Sequence, residues 1–302
     1  METRMRLQDK VALITGAGSN IGRDMARLFA REGAGVVVLD VNAEGGGETV
    51  RLIEAAGGKA LFIDGDVSTT EGLRRGIDGA AEAYGRLDIY LSNANAGASG
   101  TIAEFDRAGA ERLLAVNLMA LMEGAHYCLP HMRAAGGGAI VATSSVQALV
   151  GVPGHPAYGA AKAGLLGAVR SMAVELWPHK VRVNAVCPGG VSGRTMTVLD
   201  ELGEEYLAEF EERFGSDMRH LPLPVPTDPV AIAQAALFLA SAEAGYITGQ
   251  HLSVDAGLAL LHYNVFHGPE PLNTPQAKSQ RQSELQAAFE VWLAEKKKER
   301  AG

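Results

Sequence analysis

Cysteine is scarce in this chain of 302 residues, with only Cys128 and Cys187 present. Two thiols do not make a disulfide framework, so the expected setting is a reducing, cytoplasmic one. Long hydrophobic runs are missing as well. No stretch approaches the roughly 20 apolar residues of a membrane span, so no membrane partner is expected. The first apolar run, Val11-Ala12-Leu13-Ile14, is too short for the core of a signal sequence. Positive charge is in deficit too: 27 Lys and Arg against 35 Asp and Glu leave a formal net charge of −8. That balance argues against a nucleic-acid partner. The one dense basic run, Lys296-Lys297-Lys298, is flanked by Glu295 and Glu299 and reads as a solvated helix face. The eight His and two Cys show no metal-ligand spacing, so no metal is expected. No solenoid-type repeat is found either.

What is present is ordinary for a globular protein, 47% hydrophobic and 21% charged. Short β-branched runs at 11–15, 36–40, 60–64, 88–92, 139–143, 181–186 and 251–254 read as strands. Between the first six lie segments with helical apolar spacing, such as 21–31 and 69–84. Fully apolar strands alternating with helices imply a parallel sheet covered on both faces. Right-handed crossovers then give an α/β, doubly wound Rossmann fold with seven parallel strands. Residues 1–261 read as a single domain of this type. Within it, 193–226 is a long insertion with the character of a substrate lid. Its apolar Met196, Leu199, Leu202, Tyr206 and Phe210 fall mostly on one helical face, implying a pocket that is not strongly polar. Residues 262–302 read as a linker followed by an amphipathic helix with Leu285, Phe289 and Leu293 on one face.

The stretch TGAGSNIG, Thr15 to Gly22, follows the first strand and opens the first helix. Free backbone N–H groups and the positive end of the helix dipole meet a dinucleotide pyrophosphate in such a turn. Gly16, Ser19, Asn20, Ile21 and Gly22 are the candidate residues. The spacing departs from G-x-G-x-x-G, since Ile21 stands where a glycine would, and Asn20 occupies a place usually held by glycine. Among non-glycine residues Asn tolerates the left-handed region well, and its amide can also bond the loop or a phosphate oxygen. Asp40 ends the second strand, where a carboxylate accepts hydrogen bonds from both adenosine ribose hydroxyls. It repels a 2′-phosphate, and Val41 offers no cation to neutralise one, which favours NAD over NADP. Arg23 is a possible counter-cation, although an Arg at a helix N-terminus more often faces solvent. Asp66 and Val67 follow the third strand. The carboxylate there can accept from the adenine amine while Val67 packs the ring; the competing reading makes Asp66 the N-cap of the helix from Thr69.

Tyr158 and Lys162 stand at i and i+4 on one helix face. A phenol of pKa about 10 is a poor base at neutral pH. A neighbouring ammonium stabilises the phenolate and lowers that value. Upstream, Ser144 and Ser145 end the 139–143 strand, where a hydroxyl can bond a substrate carbonyl or alkoxide. Ser145 has the better spacing, and Ser144 is expected to bond backbone. His155 lies close to Tyr158, but no G-x-S-x-G elbow accompanies it.

Taken in order, Thr15-Gly16 through Gly22, Asp66-Val67, SNAN at 92–95, VNL at 116–118, Ser145, Tyr158-x-x-x-Lys162 and CPGG at 187–190 resemble the classical short-chain dehydrogenase/reductase family. The resemblance covers roughly residues 7–261. It implies Tyr158 as acid/base, Ser145 as the carbonyl-orienting hydroxyl, and Lys162 as the residue that binds the nicotinamide ribose and tunes the tyrosine. It implies Asn117 as the holder of a water in the proton relay, and it adds Asn93 and Ala94 to the cofactor contacts. Pro188, Gly189 and Val191 would border the nicotinamide. Gly193 stands where a Thr commonly bonds the carboxamide, leaving Thr195 as a displaced candidate. Asn95 replaces a further glycine, and the two Gly-to-Asn exchanges suggest that both turns keep their backbone shape with a polar side chain added.

The implied activity is NAD-dependent hydride transfer to or from a small secondary alcohol or ketone. An NADP-dependent 3-oxoacyl-carrier-protein reductase is disfavoured by Asp40 and by the lack of basic docking residues around the insertion. A catalytically silent member would have lost Tyr158, Lys162 or Ser145. Family tetramers pack through the tyrosine helix, and its small residues Gly159, Ala160, Ala163, Gly164 and Gly167 point to a homotetramer.

Overall fold

The computed structural model describes residues 5–97, 100–152, 154–191, 227–260 and isolated positions between 287 and 299. Seven strands, β1 (Val11–Thr15), β2 (Gly35–Asp40), β3 (Lys59–Asp64), β4 (Ile89–Ser92), β5 (Gly138–Thr143), β6 (Val181–Pro188) and β7 (His251–Val254), form one sheet. Their order is β3-β2-β1-β4-β5-β6-β7, and every pairing is parallel. Among the described residues the α-helices packed on this sheet are α1 (Asn20–Arg31), α2 (Ala43–Ala55), α3 (Thr70–Tyr84), α4 (Arg107–Leu114), α5 (Ala120–Ala134), α6 (Pro156–Leu176) and α7 (Pro229–Ala240). This is the expected doubly wound Rossmann fold.

Strand geometry sends successive side chains to opposite faces, and the central strands are apolar on both. Val11 and Leu13 of β1 join Val37 and Leu39 of β2 in a core closed by Leu73 and Ile77 of α3, Leu121 and Met132 of α5, and Leu165 and Val169 of α6. Ala12, Ile14, Val36 and Val38 face the other way, against Met25 and Phe29 of α1, Ile53 of α2, and Ile232 and Leu237 of α7. The strand order reverses between β1 and β4, so a crevice opens there at the carboxyl ends of the strands.

The expected strand at 88–92 begins one residue later. The Asp88 carboxylate caps the start of β1 instead, accepting from Val11 N at 3.0 Å and pairing with Lys10 and Arg86. The expected strand at 181–186 runs on to Pro188, because β7 continues to pair with it as far as Val254. The insertion 193–226 and most of 262–302, with Leu285, Phe289 and Leu293, lie outside the described residues. Val191 and Thr227 form a parallel bridge, and Thr227 N donates to Gly190 O at 3.0 Å, so the chain leaves and returns to the sheet at one point. In the tail, the helical Trp292 is 1% exposed. No described helix is long and apolar enough to cross a membrane.

Candidate active site

A cavity of about 480 Å³ lies over the carboxyl ends of the strands, lined by residues from the loops that follow β1 to β6. Its first wall is the turn after β1. Gly16 has φ +65°, and a Cβ there would sit 2.7 Å from Ala94 Cα, so only glycine fits. Asn20 has φ +45°, the left-handed conformation expected of it. Ser19, the N-cap of α1, makes no side-chain cap bond. The first N–H groups of the helix therefore receive no acceptor from the Ser19 side chain where Gly16, Ser19, Asn20, Ile21 and Gly22 line the cavity.

Asp40 stands at the end of β2 with both oxygens fixed: Gly18 N donates to Oδ2 at 2.8 Å and Asn42 N to Oδ1 at 2.9 Å. A Cβ on Gly18 would lie 2.9 Å from Oδ2, so the carboxylate and the loop approach each other only because residue 18 has no side chain. Val41, 63% exposed, lines the same end. Arg23 does not face solvent as expected. Its guanidinium donates to Gly18 O, to Gly45 O at 3.2 Å and to Thr49 Oγ1 at 3.0 Å, tying the turn to α2.

One loop further along, Asp66 Oδ1 accepts from Ser68 N at 2.9 Å and Oδ2 pairs with Arg112 of α4 at 2.9 Å. The N-cap of α3 is Thr69, whose Oγ1 accepts from Gly72 N, so the capping reading of Asp66 is set aside. Burial raises the Asp66 carboxyl, but the Ser68 N–H and the Arg112 guanidinium outweigh it and hold the group below its ordinary value. Val67 is buried beside it.

Asn93 stitches three strands together. Its Nδ2 donates to Thr15 O at 3.1 Å, its Oδ1 accepts from Thr143 Oγ1 at 3.1 Å, and its main-chain N donates to Thr15 Oγ1. Ala94 N donates to the same hydroxyl. Asn95 lines the cavity but does not adopt a positive φ. The expectation that it preserves a glycine-like backbone therefore fails there, and what it adds is an exposed carboxamide. Asn117 is buried in a π-type turn, Ala115–Met119, between α4 and α5. It is absent from the cavity wall, and its carboxamide brackets Ala96, accepting from N at 3.0 Å and donating to O at 2.8 Å.

Helix α6 begins with Pro156 at its first turn, where a missing N–H costs nothing. It carries Tyr158 and Lys162 into the cavity wall beside Ser145. Ser145 is buried, and its Oγ accepts from Gln147 N at 3.1 Å. Ser144 donates to Lys162 O at 3.0 Å, the backbone role expected of it. Lys162 is 1% exposed; its Nζ donates to Thr143 O at 2.9 Å and lies 5.4 Å from the centre of the Tyr158 ring. Burial pushes the lysine down to about 8. The expected depression of the Tyr158 phenol by this ammonium does not hold. Burial raises the phenol, with the Ser145 hydroxyl pulling the other way, and the lysine head is engaged by a carbonyl instead. Pro188, Gly189 and Val191 complete the wall, while Gly193 and Thr195 lie outside the described residues.

The cavity is also lined by Leu39, Gly65, Ala96, Arg112, Val116 and Thr143, which the sequence alone does not single out. Leu39, Gly65 and Thr143 adjoin Asp40, Asp66 and Ser144, so their places follow from the neighbouring motifs. Arg112 carried no signal beyond sharing a helical stretch with Asn117.

Residues 16–259 match the family model described as enoyl-(acyl carrier protein) reductase. The chain is 38% identical over 256 residues to an uncharacterized oxidoreductase of Thermotoga maritima, covering 84% of this chain and 98% of that one. It is 36% identical over 252 residues to a cyclohexanol dehydrogenase of Acinetobacter sp., covering 83% and 95%. Among solved structures it is similar to a 7α-hydroxysteroid dehydrogenase complexed with NADH and 7-oxo-glycochenodeoxycholic acid, with TM-score 0.74, 31% identity, and coverage of 84% and 96%. The fold is of Rossmann type, and the similar proteins are oxidoreductases. The chain belongs to the classical short-chain dehydrogenase/reductase family. With membership come NAD(P)-dependent oxidoreductase activity at the family level and a nicotinamide cofactor.

Proposed function

We propose that the chain is an NAD-dependent dehydrogenase of secondary alcohols, or the reductase of the corresponding ketones. The observation that carries this reading is one cavity holding Asp40 at one end and Ser145, Tyr158 and Lys162 at the other. The residues fit the cofactor: the start of α1 lacks a side-chain cap where a pyrophosphate would sit, and Asp40 is held by backbone N–H groups with its remaining lone pairs free for ribose hydroxyls. Arg23, a cation that shares Gly18 with Asp40 and could have met a 2′-phosphate, is engaged by Gly18, Gly45 and Thr49. A cyclohexanol dehydrogenase among the relatives and an NADH complex among the similar structures agree with this choice.

When bound, a nicotinamide supplies or accepts the hydride at its C4. In the reduction direction the protonated Tyr158 gives its Oη proton to the substrate oxygen, and oxidation is the reverse step, starting from the phenolate. Ser145 Oγ donates to the substrate oxygen, so that both hydroxyls stabilise alkoxide character as it develops. Lys162 would hold the nicotinamide ribose, and Asn93, Ala94, Pro188, Gly189 and Val191 would border the cofactor. Asn117 has its carboxamide committed to Ala96, which leaves only its main chain for a relay water. The test is a panel of secondary alcohols with NAD and NADP, followed at the absorbance of the reduced nicotinamide. Turnover with NAD is expected. Tyr158→Phe should abolish it while NADH still binds, as read by fluorescence. Near-normal turnover in that variant would remove the assignment, and a wild-type protein inactive with either cofactor would favour a silent member.

A further inference from the structure

We propose that Arg112 sets which base the cleft accepts, by pinning Asp66 so that it presents an acceptor to a 6-amino purine and turns away a 6-oxo one. The inference rests on the cofactor reading above. β2 and β3 are neighbours in register, Asp40 opposite Asp64. Asp66, two residues beyond that strand end, therefore lies one step past the ribose end marked by Asp40. Leu39 and Val67 give this part of the cavity apolar walls, and Arg112 reaches it from α4.

Arg112 Nη1 meets Asp66 Oδ2 at 2.9 Å and also donates to Ser68 Oγ. Ser68 N donates to Oδ1 at 2.9 Å. Ser68 N and Arg112 each hold one carboxylate oxygen and the Ser68 hydroxyl adds to them, so the group cannot rotate without losing these donors. Of the roughly four lone-pair sites of the carboxylate, one remains for a ligand. An exocyclic amine can donate to it, whereas the carbonyl of a hypoxanthine ring would bring acceptor against acceptor. Only a protonated Asp66 could donate to that carbonyl, and the Ser68 and Arg112 donors favour the ionised form. The side chains are 54% and 33% exposed, so the pair adds little to folding stability and its loss should leave the protein folded.

The experiment measures dissociation constants of NADH and reduced nicotinamide hypoxanthine dinucleotide by nicotinamide fluorescence, for wild type, Arg112→Ala, Arg112→Gln and Arg112→Lys. Wild type should prefer NADH by about tenfold, the effect of one hydrogen bond made or opposed. Arg112→Ala and Arg112→Gln should bring the two constants within about threefold, mainly by weakening NADH, and Arg112→Lys should restore part of the preference. A merely structural role would weaken both dinucleotides together and leave the ratio unchanged, which overturns the inference alone. If the guanidinium itself engaged the base, the hypoxanthine cofactor would lose as much as NADH, with the same consequence. A wild-type protein that binds neither dinucleotide overturns the cofactor reading and this inference with it.

Discussion

Lys162 Nζ donates to the Thr143 main-chain carbonyl at 2.9 Å, within 5.4 Å of the Tyr158 ring centre. Burial lowers this lysine from 10.5 to about 8. Between those values the unfolded state binds more protons than the folded one, so stability rises with pH across that window. Below about 8 both states carry the proton, and the buried ammonium is a constant cost on the order of 3 kcal/mol. Lys162→Met removes that cost and orphans the Thr143 carbonyl, an offset that does not titrate. Urea unfolding should show the Met variant gaining on wild type most near neutral pH, with the gain shrinking as pH approaches about 10. A difference independent of pH would mean that the lysine titrates normally in the fold.

Asp40 is the second lever. Replacing it by Ser removes the negative charge facing a 2′-phosphate while keeping an oxygen for the Gly18 N–H. Asp40→Ser should improve the affinity for NADPH relative to NADH by about tenfold or more, since a like-charge contact costs at least about 1.4 kcal/mol. Fluorescence titration with the two reduced cofactors reads the ratio directly. An unchanged ratio would show that discrimination lies elsewhere, and Arg23 would then have to be reconsidered despite its bonds to Gly18, Gly45 and Thr49.

The residues that were legible in the sequence share a feature: their role follows from chain-local geometry. Leu13 and Ile14 announce a strand buried on both faces, and Gly16 and Asn20 announce a left-handed turn at its end. Tyr158 and Lys162 lie one turn apart on one helix. What stayed hidden depends on contacts across the fold. Nothing near Arg112 in sequence reveals that its guanidinium reaches Asp66, 46 positions away. The raised Tyr158 phenol is hidden from the sequence for the same reason, because the Thr143 carbonyl that engages Lys162 comes from β5. Asn95 shows the limit of reading by analogy: it stands where a glycine is usual, yet its backbone does not need one.

The small residues of α6 lead to a prediction about assembly. Ala160, Ala163 and Gly164 are exposed, and a Cβ on Gly167 would meet nothing within 4 Å. At Gly164 a Cβ would press on Leu118 at 3.3 Å, but at the exposed Ala160 and Ala163 and at Gly167 packing inside one subunit does not require a small residue, whereas helix-on-helix contact between subunits would. On the proposal that the chain is a homotetramer through this helix, Ala163→Glu should dissociate it and leave the helix itself intact, Glu being a good helix former. Sedimentation equilibrium on both proteins is the measurement. Wild type sedimenting as a monomer, or a variant that keeps its mass, would remove α6 as the interface.

Asn20 combines a φ of +45° with a position at the uncapped start of α1. If its role is to tolerate that backbone, Asn20→Gly should hold NADH affinity within about threefold, since glycine adopts the same region freely. Asn20→Val, β-branched and intolerant of positive φ, should cost about 1–2 kcal/mol of stability and lower the thermal midpoint by several degrees. If instead the carboxamide donates to a phosphate oxygen, Asn20→Gly should lose about tenfold in NADH affinity at unchanged stability. The two variants separate backbone shape from side-chain chemistry, because the first change preserves only the shape and the second preserves neither. The absence of a side-chain cap from Ser19 sharpens the contrast, since a phosphate then has the Asn20 amide and the free helix N–H groups to itself.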